Sequence, residues 1–396
     1  AGNQAAGLGE FDYLSLIRLG TTVLGLPASL QNSSTLNANG LVSFDRTWER
    51  VEQKNIALDL NFLRNRLSTT FEYFTKDNIG MLINVNYPSV LGGAAPKTNS
   101  GHFNTKGWEA IIKWNDRIND FSYNIGVNMG DTKTKITGVQ GADSYNAGRN
   151  NIVNGLPFQS WFVYRTDGYF KDQAEVDAYY AKYGTSQNLA NMPKTNLAVA
   201  LRPGDTKKVD VAGTGNITGS GNKKSSLVYA GDGTPHYTFG ANLGASWKGI
   251  DFNAFFQGQL KQLIMRTGWM AYPFNALFTN QNPSFLGETW TSAKTDATFP
   301  RLTVNPTRAA WNYANNDFML QNNKYVRLKA LVVGYSLPQQ IIKKVKLQKA
   351  RIYFSGNDLW ELTQIKDGFD PEMGETSQNS GYPFARTWSF GINLGF

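Results

Sequence analysis

The sequence has no cysteine and only two histidines, His102 and His236. Disulfide frameworks and cysteine–zinc sites are therefore excluded, and the two histidines lack companion ligands at metal-binding spacing. They are expected to be ordinary surface or lumen residues. Charge is also scarce, at 17% of the chain. A soluble domain normally covers itself with charge. Here Asn, Thr, Ser, Gln and Gly take that place, together with 13% aromatics. No apolar run reaches the roughly 18 residues of a transmembrane helix. The net charge of +9 is scattered, with its densest stretch in "KKVKLQK" (343–349). It forms neither a basic face nor a nucleic-acid-binding motif, so nucleic acid is not an expected partner. The opening "AGNQAAGLGEF" has neither the charged region nor the apolar region of a signal peptide, and it reads as cut from something longer.

What is present is alternation. In "FARTWSFGINLGF" (384–396), Phe384, Arg386, Trp388, Phe390, Ile392, Leu394 and Phe396 share one face, and small or polar residues share the other. A period of two means a β-strand. "HYTFGANLGASWKG" and "IDFNAFFQGQL" repeat the pattern around Lys248-Gly249, a tight hairpin signal. Further segments lie at 55–63, 66–74, 106–114, 121–130, 325–335 and 350–356. About a dozen are expected in all. Most are near the 9–11 residues that a tilted strand needs to cross a bilayer.

Connections come in two kinds. Short ones are expected at Arg64-Asn65, at 115–120 and at Lys248-Gly249. Long ones are expected at 79–103, 134–235, 261–323 and 358–383, and around the clear hairpins they alternate with the short ones. A soluble sandwich gives no reason for that asymmetry. A bacterial outer-membrane barrel does, with short turns in the periplasm and long loops outside. Parity then requires an even number of membrane strands within 134–235, a number the pattern does not resolve. "DQAEVDAYYAKYG" in that stretch reads as a short surface helix. The fold expectation is an all-β transmembrane antiparallel barrel, apolar face to lipid and polar face to a wet lumen. Trp108, Trp114, Trp247 and Trp388 are expected in its aromatic girdles. Arg386, on the apolar face, is expected at the interface. There its cost is about 0–1 kcal/mol, against 2–4 at the midplane.

Several stretches resemble the SusC/RagA-like TonB-dependent outer-membrane transporters. They include "WERVEQKNIALDLNFLRNRLSTTFEYFTKDNIGMLI", "GHFNTKGWEAIIKW", "RTDGYFKDQAEVDAY", "RPGDTKKVDVAGTGNIT", "YVRLKALVVGYSLP" and "ARIYFSGNDLWELTQIKDGFDPEMG", and they run from about residue 48 to the end. The resemblance implies that residues 1–396 are the C-terminal part of a 22-stranded plugged barrel with long extracellular loops. Signal peptide, plug and first strands would lie outside this sequence. It implies import of a bulky nutrient, an oligosaccharide or peptide. A SusD-like lipoprotein would cap the outer mouth, and TonB would act through the N-terminal part. The alternative is a structural or adhesive barrel whose loops bind other proteins. Where the family often reads Asp-x-Asn-Gly-Asp-Gly, this chain has "DVAGTG" from Asp210. That leaves too few oxygen ligands for calcium, and no metal or cofactor is expected.

No catalytic residue is assigned. Asp367, Asp370 and Glu372 in "KDGFDPE" share one loop beside Pro371 and read as exposed acids of a structural turn, not a pair flanking a glycosidic bond. Substrate contact is expected from flat aromatic rings in the long outward loop 261–323: Trp269, Tyr272, Trp290, Trp311 and Tyr313. Asn280 and Asn312 are expected to add amide donors and acceptors. Glu72, Glu109, Asp251 and Lys261 are expected to set lumen polarity.

Overall fold

The computed structural model describes residues 2–4, 14, 17–24, 31–38, 41–42, 46–84, 96–141, 143, 145–149, 151–183, 199–221, 226–267, 271–273, 283–365, 367–373 and 385–396. Ten strands form one antiparallel sheet. They are β1 (Gly2–Gln4), β2 (Glu49–Phe62), β3 (Leu67–Asn84), β4 (Lys97–Ile118), β5 (Phe121–Gly138), β6 (His236–Trp247), β7 (Ile250–Lys261), β8 (Tyr325–Ser336), β9 (Lys349–Thr363) and β10 (Thr387–Gly395). Each strand pairs with the next along the chain, so the sheet is a meander with edges at β1 and β10.

Register gives the two faces their separate chemistry. One row runs Leu58, Phe71, Ala110, Met129, Phe239, Gly258, Val326 and Leu362 across β2 to β9. The adjacent row, on the opposite face, runs Asp59, Thr70, Ile111, Asn128, Gly240, Gln257, Arg327 and Glu361. Side chains alternate across a pleated strand, so one residue of slip would exchange these rows. The apolar residues do not gather in a dry interior: Phe252 is 37% exposed, Ile56 76% and Phe390 82%. Trp247 and Trp388 are likewise exposed on this face. Trp114, half-buried, donates its Nε1–H to the Tyr123 hydroxyl at 3.1 Å.

The turns at one end are short. Lys248 and Gly249 both have positive φ, 46° and 89°, the geometry of a two-residue turn that matches strand twist. Leu63, Arg64 and Asn65 do the same between β2 and β3. The third turn is tighter than expected, because β4 continues to Ile118 and leaves only Asn119 and Asp120. At the other end the strands outrun their apolar alternation. β3 has 18 residues, β4 22 and β5 18, and the expected loops 79–103 and 134–235 shrink accordingly. Between β5 and β6 the main sheet gains no strand at all, since Thr238 pairs directly with Gly130.

That inter-strand segment instead builds a layer of its own. Ser160–Tyr164 pairs with Leu227–Asp232, and Thr166–Tyr169 pairs with Thr206–Lys208. Helix α1 (Gln173–Tyr183) is no plain surface helix. Val176, Tyr179 and Tyr183 are buried, packed with Phe162, Phe170 and Trp311. Asp172 accepts from Glu175 N–H at 2.9 Å, while the Glu175 carboxylate accepts from Lys171 N–H at 2.8 Å, a reciprocal cap. Helix α2 (Pro306–Asn312) is capped by Asn305.

Two features generate predictions. Phe239 lies across Gly258, where a Cβ would collide with the Tyr325 carbonyl oxygen and stand 2.8 Å from Phe239 Cζ. Gly258→Ala should cost about 1–3 kcal/mol by overpacking. Gly126→Ala, whose nearest atoms lie at 3.9 Å, should cost far less. The temperature at which folded barrel converts to the slower gel band measures both, and equal temperatures would refute the packing argument. Lys208 is buried with its Nζ 4.0 Å from the ring centroids of both Tyr164 and Trp311. Burial lowers its ammonium from 10.5 to about 7. Below about pH 7 the buried charge burdens the folded state in full. Between about 7 and 10.5 the unfolded chain binds the extra proton, so stability rises with pH. Lys208→Met, which fills the same space, should raise the melting temperature at pH 6, with the gain shrinking toward pH 10. A gain independent of pH would show that desolvation of the charge is not the cause.

Candidate functional site

The polar face carries charges that bridge strands over glycine. Arg351 of β9 reaches Asp251 of β7 across β8, its Nε donating to Oδ1 at 2.8 Å and its Nη2 to Oδ2. The strand crossed presents Gly334, where any Cβ would strike the guanidinium. Glycine there is a requirement of the bridge. Glu72 accepts from Asn55 at 3.0 Å and stands opposite Glu109 on the same face.

Toward the loop end this face closes over a cluster of ions. Arg327 is fully buried. It pairs with Glu361 at 2.5 Å, with Glu372 at 3.0 Å, and with Asp370. Lys329 joins Asp358 at 2.8 Å and Glu372 at 2.9 Å. Arg266, also buried, donates from Nε to Asp367 at 2.7 Å and from Nη1 to the Met373 carbonyl at 3.1 Å. These contacts pin segment 367–373 against β8 and β9. The acids of "KDGFDPE" are thus not exposed, because a buried arginine with multiple donors must be surrounded by acceptors. Arg386 is corrected by the same cluster. It precedes β10 and turns to Glu361 at 3.7 Å, away from the apolar face.

His236 is buried as well. Its Nδ1 lies 2.6 Å from Asp131 Oδ1, and its Nε2 3.1 Å from Asp232 Oδ1. The ring ties β5 and β6 to the strand Leu227–Asp232 of the loop layer. The expectation of a surface or lumen histidine therefore fails, because two carboxylates satisfy it inside.

Beside the pinned segment two cavities border the short ribbon formed by Leu263–Ile264 and Gln321–Asn322. The first, about 560 Å³, is lined mainly by polar groups, among them Arg149, Gln257, Gln259, Gln262, Asn323 and Glu372. Its amides are held by one another. Gln259 Nε2 donates to Gln262 Oε1 at 2.7 Å and to the Asn323 carbonyl at 2.9 Å, and Asn323 Nδ2 donates to Gln262 Oε1 at 2.8 Å. Among the described residues Asn323 Oδ1 is a buried acceptor with no hydrogen-bond partner. The second cavity, about 810 Å³, sets Phe285, Phe299 and Phe318 beside Arg266, Gln321 and Gln364. Aromatic walls facing amides suit a ligand with both apolar faces and hydrogen-bonding groups.

The residues expected to contact substrate are distributed otherwise. Trp311 lies in the loop-layer core, its Nε1–H donated to the Thr206 carbonyl at 2.8 Å. Asn312 is buried beside it, accepting from Thr206 N–H and donating to Asp205. Trp290 is buried over Gly204, which has φ +91° and no room for a Cβ. Tyr313 is buried, and Tyr272 stacks on it with centroids 4.7 Å apart and planes at 10°. Burial pushes the hydroxyls of both tyrosines up, so they stay neutral donors. These rings hold the loop layer together, with Tyr272 the more open of the pair. Trp269 and Asn280 lie outside the described residues. Asp210 accepts from Gly215 N–H at 2.7 Å, closing its own turn. The cavity amides were missed, although Gln257 and Gln259 fall on polar-face parity in "FFQGQL" and carried a readable signal.

No family model matches the chain. Individual relatives do. It is 26% identical over 365 residues to the TonB-dependent receptor P3 of Formosa agariphila, covering 88% of this chain and 34% of that protein. It is 24% identical to the TonB-dependent receptor SusC of Bacteroides thetaiotaomicron, covering 88% of this chain and 32% of that one. The chain thus spans about a third of the length of the curated relatives it matches. The fold matches the RagAB peptide transporter with a TM-score of 0.66 at 21% identity, over 99% of this chain and 39% of the other. The RagAB peptide importer in an 'open-open' state matches with a TM-score of 0.68 at 21% identity, over 98% and 38%. These relatives are receptors and transporters, not enzymes. The chain is thus similar over 88% of its length to proteins named TonB-dependent receptors, SusC among them, and shares its fold with the RagAB transporter.

Proposed function

We propose that residues 1–396 form the C-terminal wall of a 22-stranded plugged barrel that imports a bulky nutrient, a glycan or a peptide. A SusD-like lipoprotein covers the outer mouth, and TonB acts through the N-terminal part. The single observation that carries this reading is the amide-lined cavity over the lumen end of the polar face. Its Gln259, Gln262 and Asn323 side chains are fixed by one another, with Gln257 and Arg149 completing the polar lining. A site pre-ordered in this way binds hydroxyl- or amide-rich solutes without first freezing its own side chains. Sugars and peptides share that chemistry, and the phenylalanines of the neighbouring cavity supply flat faces for either. Closure of the barrel is supported by the two sheet edges, since each unpaired backbone group in hydrocarbon costs several kcal/mol.

The test is uptake by cells carrying the intact receptor. Radiolabelled oligosaccharides and oligopeptides are offered to the wild type, to a deletion strain, and to a Gln259→Ala/Asn323→Ala variant. The deletion should abolish uptake of one class. The variant should lower it about 10-fold at limiting concentration, in line with the loss of two or three hydrogen bonds. A lipoprotein should co-purify with the wild-type receptor. Unchanged uptake of every probe after deletion would reject transport in favour of an adhesive barrel.

A further inference from the structure

On the apolar face the alternation does not end where the apolar residues end. One row above Tyr73 and Trp108, which are paired across β3 and β4, register sets Thr75 opposite Lys106 and Lys106 opposite Lys133. Lys54 of β2 continues the row on the far side of Thr75. Lys135 stands two residues above Lys133 on the same face of β5. All four lysines are exposed. Directly opposed like charges destabilise a sheet unless something lies between or over them. The acids of the next row are already engaged, Glu52 by Arg50 at 3.1 Å and Asp77 by the Asn104 amide at 2.6 Å. Among the described residues none of the four lysines is paired with a carboxylate.

Height decides what faces this row. Twelve residue steps separate Lys106 from Ile118 at the turn, and twelve separate Lys133 from Phe121. At ~3.3 Å per residue and a tilt of 35–45°, that is about 30 Å, just beyond the ~25 Å apolar band of an outer-membrane barrel. The aromatic pair Tyr73 and Trp108 lies immediately below, at the depth of an interfacial girdle. A cavity of about 320 Å³ opens beside β5, lined by Lys133, Lys135, Lys261 and His236 together with Asp232.

We propose that Lys106, Lys133 and Lys135, with Lys54 at the flank, are a docking surface for the phosphate groups of the outer-leaflet glycolipid. The lysines supply mobile point charges above the acyl boundary, and the aromatic pair seats the chains beneath them. The row of Lys54, Lys106 and Lys133 lies on the face that carries Tyr73 and Trp108, opposite to that of Gln257 and Gln259. It anchors a bound lipid and fixes the height of the loop layer above the membrane.

Native mass spectrometry of the intact receptor in nanodiscs tests this. The discs contain phosphatidylethanolamine with either phosphorylated or dephosphorylated lipid A. The wild type should retain phosphorylated lipid A, and Lys106→Ser/Lys133→Ser/Lys135→Ser should retain about 100-fold less. The corresponding triple arginine variant should retain it as the wild type does. Retention is read on the heat-modifiable, folded fraction, so a folding defect is seen separately. Equal retention by the serine variant, or equal retention of the dephosphorylated lipid, overturns the proposal. Displacement by millimolar inorganic phosphate also overturns it, since the site would then take a free anion.

Discussion

Within hydrocarbon no water is present to bond a backbone N–H or C=O, so every membrane-crossing residue must find its partner in a neighbouring strand. That constraint accounts for the meander of β2 to β10, in which each strand pairs with the next. It also accounts for the short turns, because a two-residue connection such as Lys248-Gly249 returns the chain with few unpaired groups. Once the ladder is set, the side chains have only two directions in which to point. The row from Leu58 to Leu362 then meets lipid, and the adjacent row from Asp59 to Glu361 meets water. Hydrophobic burial, the main force in a soluble core, is here exchanged for contact with acyl chains. What distinguishes the strands energetically is the fit of neighbouring side chains, as where Phe239 covers Gly258.

The polar face shows what replaces a core. A wet face tolerates charge, and the sheet uses it to join strands that are not neighbours. Arg351 reaches Asp251 over Gly334 only because the strand between them has no side chain there. The same logic, deeper and drier, produces the Arg327 cluster. A buried guanidinium whose partners come from β9 and from the 367–373 segment is costly when any one of them is removed. The cluster therefore holds that segment in one place, and the amide cavity that shares Glu372 is held with it.

Alternation made most of the sheet legible. The segments ending at Phe396 and flanking Lys248-Gly249 could be placed with their faces assigned, because apolar and polar residues take turns there with few exceptions, Phe255 among them. The upper halves of β3, β4 and β5 were not legible for the same reason. In "DTKTKITG" polar residues fall on both faces, since the strand has left the apolar band, and such a strand has no period-two hydropathy signal. The loop layer was opaque for a different cause. Trp311, Trp290 and Tyr313 look like exposed binding rings when only composition is read. Whether an aromatic residue in irregular chain points in or out is decided by tertiary packing, here by Thr206, Gly204 and Tyr272. The ionic roles of Asp370 and Glu372 were hidden too, because their partner Arg327 is some forty residues upstream, and that of Asp367 because its partner Arg266 is farther still.

The loop layer has its own buried core, from Phe162 and Tyr164 through Tyr179 to Trp311, and that changes what the loops can do. Long connections without a core would have to be ordered by a ligand, at an entropic cost set against affinity. A layer already packed presents its cavities ready-made, and any motion it makes is motion as a body. Its ties to the sheet are mixed: His236 between Asp131 and Asp232, the amides around Asn323, and the rings of Phe103 and Phe158, 5.5 Å apart. Buried polar ties of this sort have strict geometry and cost the full desolvation of their groups when broken, so they fix the position of the layer. The cavities beside these ties are held in one shape for the same reason.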